Sequence, residues 1–227
     1  MTNEVFFRII LSLLCFSFFV GGAWLQYSTR EPKSKSSIDQ PTRHIGRSYA
    51  AAIILGYIWV GGMILYCLFP NWIMFLSIPL PDWFRLIMVG IAALGTGIVF
   101  WAYWALGKNW VHAFETSEFL QRQRQTLVTS GPYHYVRNPI YLGAFIFMSA
   151  LGLVAANLLI LLCGLAVAAL ICTQAWNEEA MLIDKFGEEY REYMKRTPRF
   201  IPKFRYDHPI PNTLSKAPES EQSPREA

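Results

Sequence analysis

Pro139–Trp176 reads PIYLGAFIFMSALGLVAANLLILLCGLAVAALICTQAW, without a single Asp, Glu, Lys or Arg. A helix needs roughly 20 apolar residues to cross the hydrocarbon core of a bilayer. This run is long enough for two such helices, and Ala156-Asn157 near its middle marks the turn between them. With so short a turn the two spans form an antiparallel hairpin. Whatever precedes Pro139 and whatever follows Trp176 must then meet on one membrane face.

Working outward, Leu86–Leu106 and Ser48–Phe69 are also free of charge, each about one span long. A further apolar run, Val5–Leu25, carries Arg8 near its start; no A-x-A-like cleavage site follows, so it reads as a retained span. The chain of 227 residues is 53% apolar and 16% charged, against about 25% charged in soluble domains. These features predict an all-α polytopic membrane protein with about five transmembrane helices, the last two a hairpin followed by an amphipathic cytoplasmic helix. Arg85, at the start of the third span, is expected to snorkel towards water.

Lys and Arg alternate between loops. The polar linker 27–47 carries five, 69–83 none, 107–138 four, the turn at Asn157 none, and the segment after Trp176 nine. Because cytoplasmic loops are enriched in these residues, the linker, long loop and C-terminus are placed in the cytoplasm and the N-terminus outside. The net charge of +4 sits beside apolar spans, which favours contact with anionic lipid over nucleic acid. Cys15, Cys67, Cys163 and Cys172 lie in apolar stretches without a CxxC pair, so neither a disulfide framework nor a metal site is indicated. No ionisable residue occupies the middle of a span, which argues against proton-coupled transport. Gly95-Thr96-Gly97, with Gly90 and Ala93, reads as a small-residue packing face.

The chemistry therefore gathers at the cytoplasmic ends of the hairpin. Before it stands Gly131–Gly143, GPYHYVRNPIYLG; after it stands Asn177–Tyr193, NEEAMLIDKFGEEYREY. In the latter Met181, Leu182, Phe186, Tyr190 and Tyr193 recur at helical spacing, predicting one amphipathic helix over Asn177–Lys195 that Pro198 and Pro202 end. Taken singly, each stretch suits a juxtamembrane border. Together they bring a guanidinium, an amide, phenols and two carboxylates to one place, a set fit for a zwitterionic ligand. A carboxylate would suit Arg and the N-terminus of the fourth span, and a cation or ribose hydroxyls would suit Glu.

These residues resemble the isoprenylcysteine carboxyl methyltransferase family and its relatives, the phospholipid methyltransferases. The resemblance lies in GPYHYVRNPIYLG, NEEAMLIDKFGEEYREY and RTPRFIP (Arg196–Pro202), with Leu106–Trp110 and Leu127–Ser130 in support, and it covers about Ala105 to Pro202. It implies integral membrane methyl transfer from S-adenosylmethionine to a lipid-like or isoprenylated acceptor. Carried over by position, Tyr135, Arg137, Asn138, Pro139, Tyr141, Gly143, Glu178 and Glu179 would surround the cofactor. Arg137, Glu179 and Arg199 are the candidate catalytic residues. Two positions depart from the family pattern. Asn138 stands where a His is usual, and Asn does not titrate near neutrality. Cys172, Thr173 and Gln174 stand where carboxyl-methylating members carry a basic residue, which leaves Arg199 as the partner for an acceptor carboxylate.

The expected organisation is residues 1–104 as N-terminal spans with the linker, 105–205 as the methyltransferase-like region and 206–227 as a disordered tail. Expected partners are membrane lipids and the acceptor, with no nucleic acid and no metal. A phospholipid amine or a small thiol remains open as the acceptor. So do a nicotinamide-dependent membrane reductase, whose C-terminal region is similar, and a non-enzymatic scaffold or transporter.

Overall fold

The computed structural model describes residues 2–29, 47–107 and 126–202. Most of the linker expected over 27–47, most of the loop beginning at Gly107, and the tail from 206 lie outside these residues. Among the described residues the chain is helical, and an isolated bridge pairs Ser77 with Asn157. The helices are α1 (Thr2–Phe16), a π-helical turn (Ser17–Gly21), α2 (Gly22–Thr29), α3 (Arg47–Leu68), α4 (Asp82–Leu106), α5 (Pro139–Val154), α6 (Leu158–Phe186) and α7 (Glu188–Arg196). Among the described residues three rods are long and apolar enough to cross a membrane: Asn3–Ser28, Asp82–Leu106 and Leu158–Phe186. Ile53–Leu68 and Pro139–Val154 are shorter apolar helices.

α4, α5 and α6 form the centre. Gly95 and Gly143 let α4 and α5 meet backbone to backbone: a Cβ on Gly143 would lie 2.7 Å from the Gly95 carbonyl oxygen, and one on Gly95 2.8 Å from that of Gly143. α5 and α6 approach as closely, with Gly152 against Leu161 and Gly164 against the Met148 carbonyl. Lipid is as apolar as Leu, so such contacts are held by close packing more than by hydrophobic transfer. Asn157 makes the turn between α5 and α6 possible. It is buried, its Oδ1 caps α6 by accepting from the Leu159 and Ile160 N–H groups, and its Nδ2 donates to the Ile73 carbonyl at 2.9 Å. Deleting such a cap typically costs about 1 kcal/mol. α3 packs on α6, where Trp59 lies against Gly164.

The N-terminal rod runs parallel to α4. Asn3 donates to Asp82 and Glu4 accepts from Arg85 at one end; Gly21 meets Phe100 further along, and Gln26 hydrogen-bonds with Tyr103 at the other end. Between them, Phe18 in the π-helical turn stacks on Phe147 of α5 at 4.0 Å.

Exposed aromatic side chains collect at the two ends of this bundle. Trp72, Phe75 and Trp83 mark one end; Trp24, Tyr27, Trp104 and Trp176 mark the other. Trp83 and Trp104 stand about 32 Å apart along α4, close to the roughly 30 Å of a hydrocarbon core. Aromatic belts at both interfaces have this spacing.

Two expectations are corrected. Arg85 does not snorkel to water. It is 2% exposed, and its guanidinium donates to Glu4 at 2.5 Å, to the Tyr66 hydroxyl at 3.0 Å and to the Val154 carbonyl at 2.9 Å. Its partners lie on three other helices, so the donors turned away from water are satisfied within the bundle. Nor is there one helix over Asn177–Lys195. The apolar span and the polar segment form a single helix, α6, as far as Phe186. Gly187, at φ +57°, then breaks the path before α7. A non-glycine residue would be strained at that φ.

Candidate functional site

The site is built where the chain enters α5 and where it returns after α7. Proline after Asn138 keeps that residue out of the helical region, and its φ and ψ are −125° and 61°. The stretch before α5 is thereby free to pair with the returning chain. The Arg137 N–H donates to the Pro198 carbonyl at 2.8 Å and the Asn138 N–H to the Arg199 carbonyl at 3.2 Å. The Tyr193 hydroxyl of α7 donates to the Tyr133 carbonyl at 2.6 Å. Burial pushes the phenols of Tyr133, Tyr190 and Tyr193 well above the ordinary tyrosine range, so they stay neutral.

At the centre of this junction is Glu179, 2% exposed. Oε1 accepts from Arg137 Nε at 3.1 Å, Asn138 Nδ2 at 3.0 Å and Arg199 Nε at 3.0 Å. Oε2 accepts from Arg137 Nη2 at 3.2 Å and Arg199 Nη2 at 2.6 Å. A carboxylate has about four lone-pair sites, so these five donors fill it. Arg137 is further tied down by the Thr197 and Met194 carbonyls, at 2.6 and 3.1 Å. Arg199 differs. Its side chain is 26% exposed against 8% for Arg137, and its guanidinium lies 4.4 Å from the exposed Trp176 ring. The hydrogen bond to Glu179 holds the Arg199 pKa above its ordinary value.

Glu178, the neighbouring carboxylate, faces other groups. The Tyr141 hydroxyl donates to it, and Tyr103 and Tyr133 lie within its electrostatic reach. The Tyr141 phenol of α5 is thus bonded to Glu178, and those of Tyr103 and Tyr133 feel its charge.

Of the residues singled out in the sequence, the structure brings Arg137, Asn138, Glu179 and Arg199 into one cluster, with Glu178 and Tyr141 beside it. Pro139 is buried at the first position of α5. Tyr135 is 54% exposed and stands near Trp101, at 6.4 Å between centroids. Gly143 faces α4, where it permits close packing on Gly95 and Val99. Trp176, Tyr103 and Tyr193 are not among the site residues expected from the sequence. Tyr193 carried a signal, its place in the helical stripe. Tyr103 sits in an apolar span and Trp176 at a span's end, where aromatic residues are ordinary.

Residues 84–189 match the family model described as phospholipid methyltransferase. Protein-S-isoprenylcysteine O-methyltransferase from Homo sapiens is 33% identical over 105 residues, 44% of this chain and 35% of the relative. Its namesake from Schizosaccharomyces pombe is 38% identical over 77 residues, 34% of this chain and 33% of the relative. The Xenopus laevis protein of the same name is 28% identical over 188 residues, 82% of this chain and 61% of the relative. The matched stretches thus span about a third of the first two relatives.

Proposed function

We propose, from the premise that residues 84–189 belong to the phospholipid methyltransferase family, that this integral membrane protein transfers a methyl group from S-adenosylmethionine to a lipid-like or isoprenylated acceptor, of the isoprenylcysteine carboxylate type, at the cytoplasmic membrane face. The observation that carries the reading is Arg199. It is a partly exposed guanidinium, fixed on a buried carboxylate beside an interfacial Trp.

The donor set fits the cofactor. Glu178, with the Tyr141 hydroxyl upon it, suits ribose hydroxyls or a cation, and the N-terminus of α5 suits a carboxylate. Tyr135, Asn138, Pro139 and Gly143 support that site by shaping the entry to α5 and its packing on α4. S-adenosylmethionine, when bound, supplies a methyl carbon already activated by positive sulfur. The chain's own residues then align and desolvate, which is worth effective molarities of about 10⁵ M or more. Arg199 is the catalytic residue, meeting the acceptor carboxylate; Arg137 and Glu179 position it. A carboxylate acceptor, ionised above a pKa of about 3.5, needs no base. A phospholipid amine is the second reading, favoured by Glu178, which is placed to accept the departing proton.

The site's depth agrees. From Leu158 to Glu178, α6 runs about 30 Å, one hydrocarbon thickness, so the carboxylate pair stands at an interface. The loop distribution of Lys and Arg supports five spans, α5 and α6 as the hairpin, the N-terminus outside and the C-terminus inside. The parallel run of the N-terminal rod and α4 is consistent with it.

The test is transfer of labelled methyl from S-adenosylmethionine by the purified protein in lipid micelles, with an isoprenylated cysteine, an aminophospholipid and a small thiol as acceptors. Label on the isoprenylated cysteine, lost in Arg199→Ala, is the expected result. Absence of S-adenosylmethionine binding by the wild type overturns the reading.

A further inference from the structure

The family match begins at residue 84, yet one residue far upstream reaches the site. Gln26, half-buried in the last turns of α2, hydrogen-bonds with Tyr103 in the last turns of α4. Tyr103 in turn lies within electrostatic reach of both Glu178 and Tyr141, the pair at the junction of α5 and α6. The contact has a geometric cause. The N-terminal rod runs parallel to α4 and is pinned to it at the far end by Glu4 on Arg85 and, nearer the site, by Gly21 on Phe100. Parallel packing carries Gln26 to the end of the bundle where the two carboxylates stand.

We infer that the N-terminal helix completes the binding site: Gln26 is a positioning residue that holds the Tyr103 phenol beside Glu178, and the Tyr103, Tyr141 and Glu178 groups together receive the positively charged part of the methyl donor. A carboxylate supplies the charge, and tyrosine rings attract cations through their faces. A phenol free to rotate about its ring bonds spends part of its time away from the carboxylate. An amide partner removes that freedom before the ligand arrives, which lowers the ordering cost of binding. The inference rests on the methyltransferase reading above and adds to it a part of the chain outside the family-matched region.

The experiment is calorimetry of S-adenosylmethionine binding to the full chain in detergent micelles, for wild type, Gln26→Ala, Tyr103→Phe and the double variant, with thermal unfolding alongside. Each single variant is expected to weaken binding about fivefold, the effect of one hydrogen bond. The double variant is expected to bind no more weakly than Tyr103→Phe alone, because Gln26 acts through that hydroxyl. Should Gln26→Ala not fold, Gln26→Met takes its place, with the same loss expected because it keeps the length of the side chain and removes the amide. Unchanged affinity in the single variants, or losses that multiply in the double, overturns the inference while leaving the methyltransferase reading in place. No binding by wild type brings down that reading and the inference with it.

Discussion

The molecule buries a carboxylate–guanidinium cluster at each end, and the two are built in opposite senses. At the Trp83 end, Arg85 is the buried member and Glu4 is 48% exposed. Arg85 is closed over by Tyr66, the Val154 carbonyl and the Phe7 ring, 3.8 Å from its Cζ. At the Trp104 end Glu179 is the buried member, and one of its two guanidiniums, Arg199, keeps an accessible edge. The first cluster therefore shows water a negative group that is already paired, and works as a fastener between helices. The second shows a positive group held in one orientation, and that is what an anionic acceptor can use. A buried pair by itself says little about stability or function; which partner is left reachable decides between them.

The largest effect should come from Glu179→Ala. It strands two guanidiniums around a buried hole, and removing one partner of a buried pair costs about 3–5 kcal/mol. Thermal unfolding in micelles should fall accordingly, with methyl transfer lost. Arg85→Met should cost less, about 2 kcal/mol, within the usual range for broken networks, because the Glu4 left behind is half-exposed and can be hydrated. Its kcat/KM should stay within about twofold of wild type. A collapse of activity there would erase the difference between the two ends. Arg199→Lys should change stability least, by about 0.5 kcal/mol. Lysine keeps the charge but not the planar fork, so the KM for the acceptor should rise about tenfold with little change in donor affinity. An unchanged acceptor KM would reduce Arg199 to a second fastener.

Much of this was legible in the sequence, unevenly. The charge-free run Pro139–Trp176 and the motifs on either side of it point to the junction of Arg137, Asn138 and Glu179, because short turns and a proline after Asn138 fix local geometry. The inward turn of Arg85 was not legible. Its partner Glu4 lies at a separation of 81 residues, and no local pattern distinguishes a snorkelling Arg from a paired one. The break at Gly187 was hidden because the spacing of apolar residues continues across it. Where α6 ends was misjudged because Thr173, Gln174 and Asn177 change polarity without stopping a helix; polarity marks the membrane border, whereas helix ends are set by caps and by residues such as Gly187. Gln26 and Tyr103 sit in apolar helices and carry no motif. Only the parallel packing of two helices joins them to the site.

That parallel packing bears on the order in which the molecule assembles. The bonds of Glu179 to Arg199 and Arg137 close chain separations of 20 and 42 residues, whereas Glu4 reaches Arg85 across 81. Each doubling of loop length adds about 0.6 kcal/mol of closure entropy, so the Glu4 contact starts about 1.2 kcal/mol behind the nearest Glu179 contact. A chain emerging from the ribosome presents its first helix to α3, where Tyr66 donates to Glu4, before α4 has followed. Gln26 can then meet Tyr103 before α5 and α6, which bring Tyr141 and Glu178, have been made, so one wall of the site is in place before the carboxylate it serves.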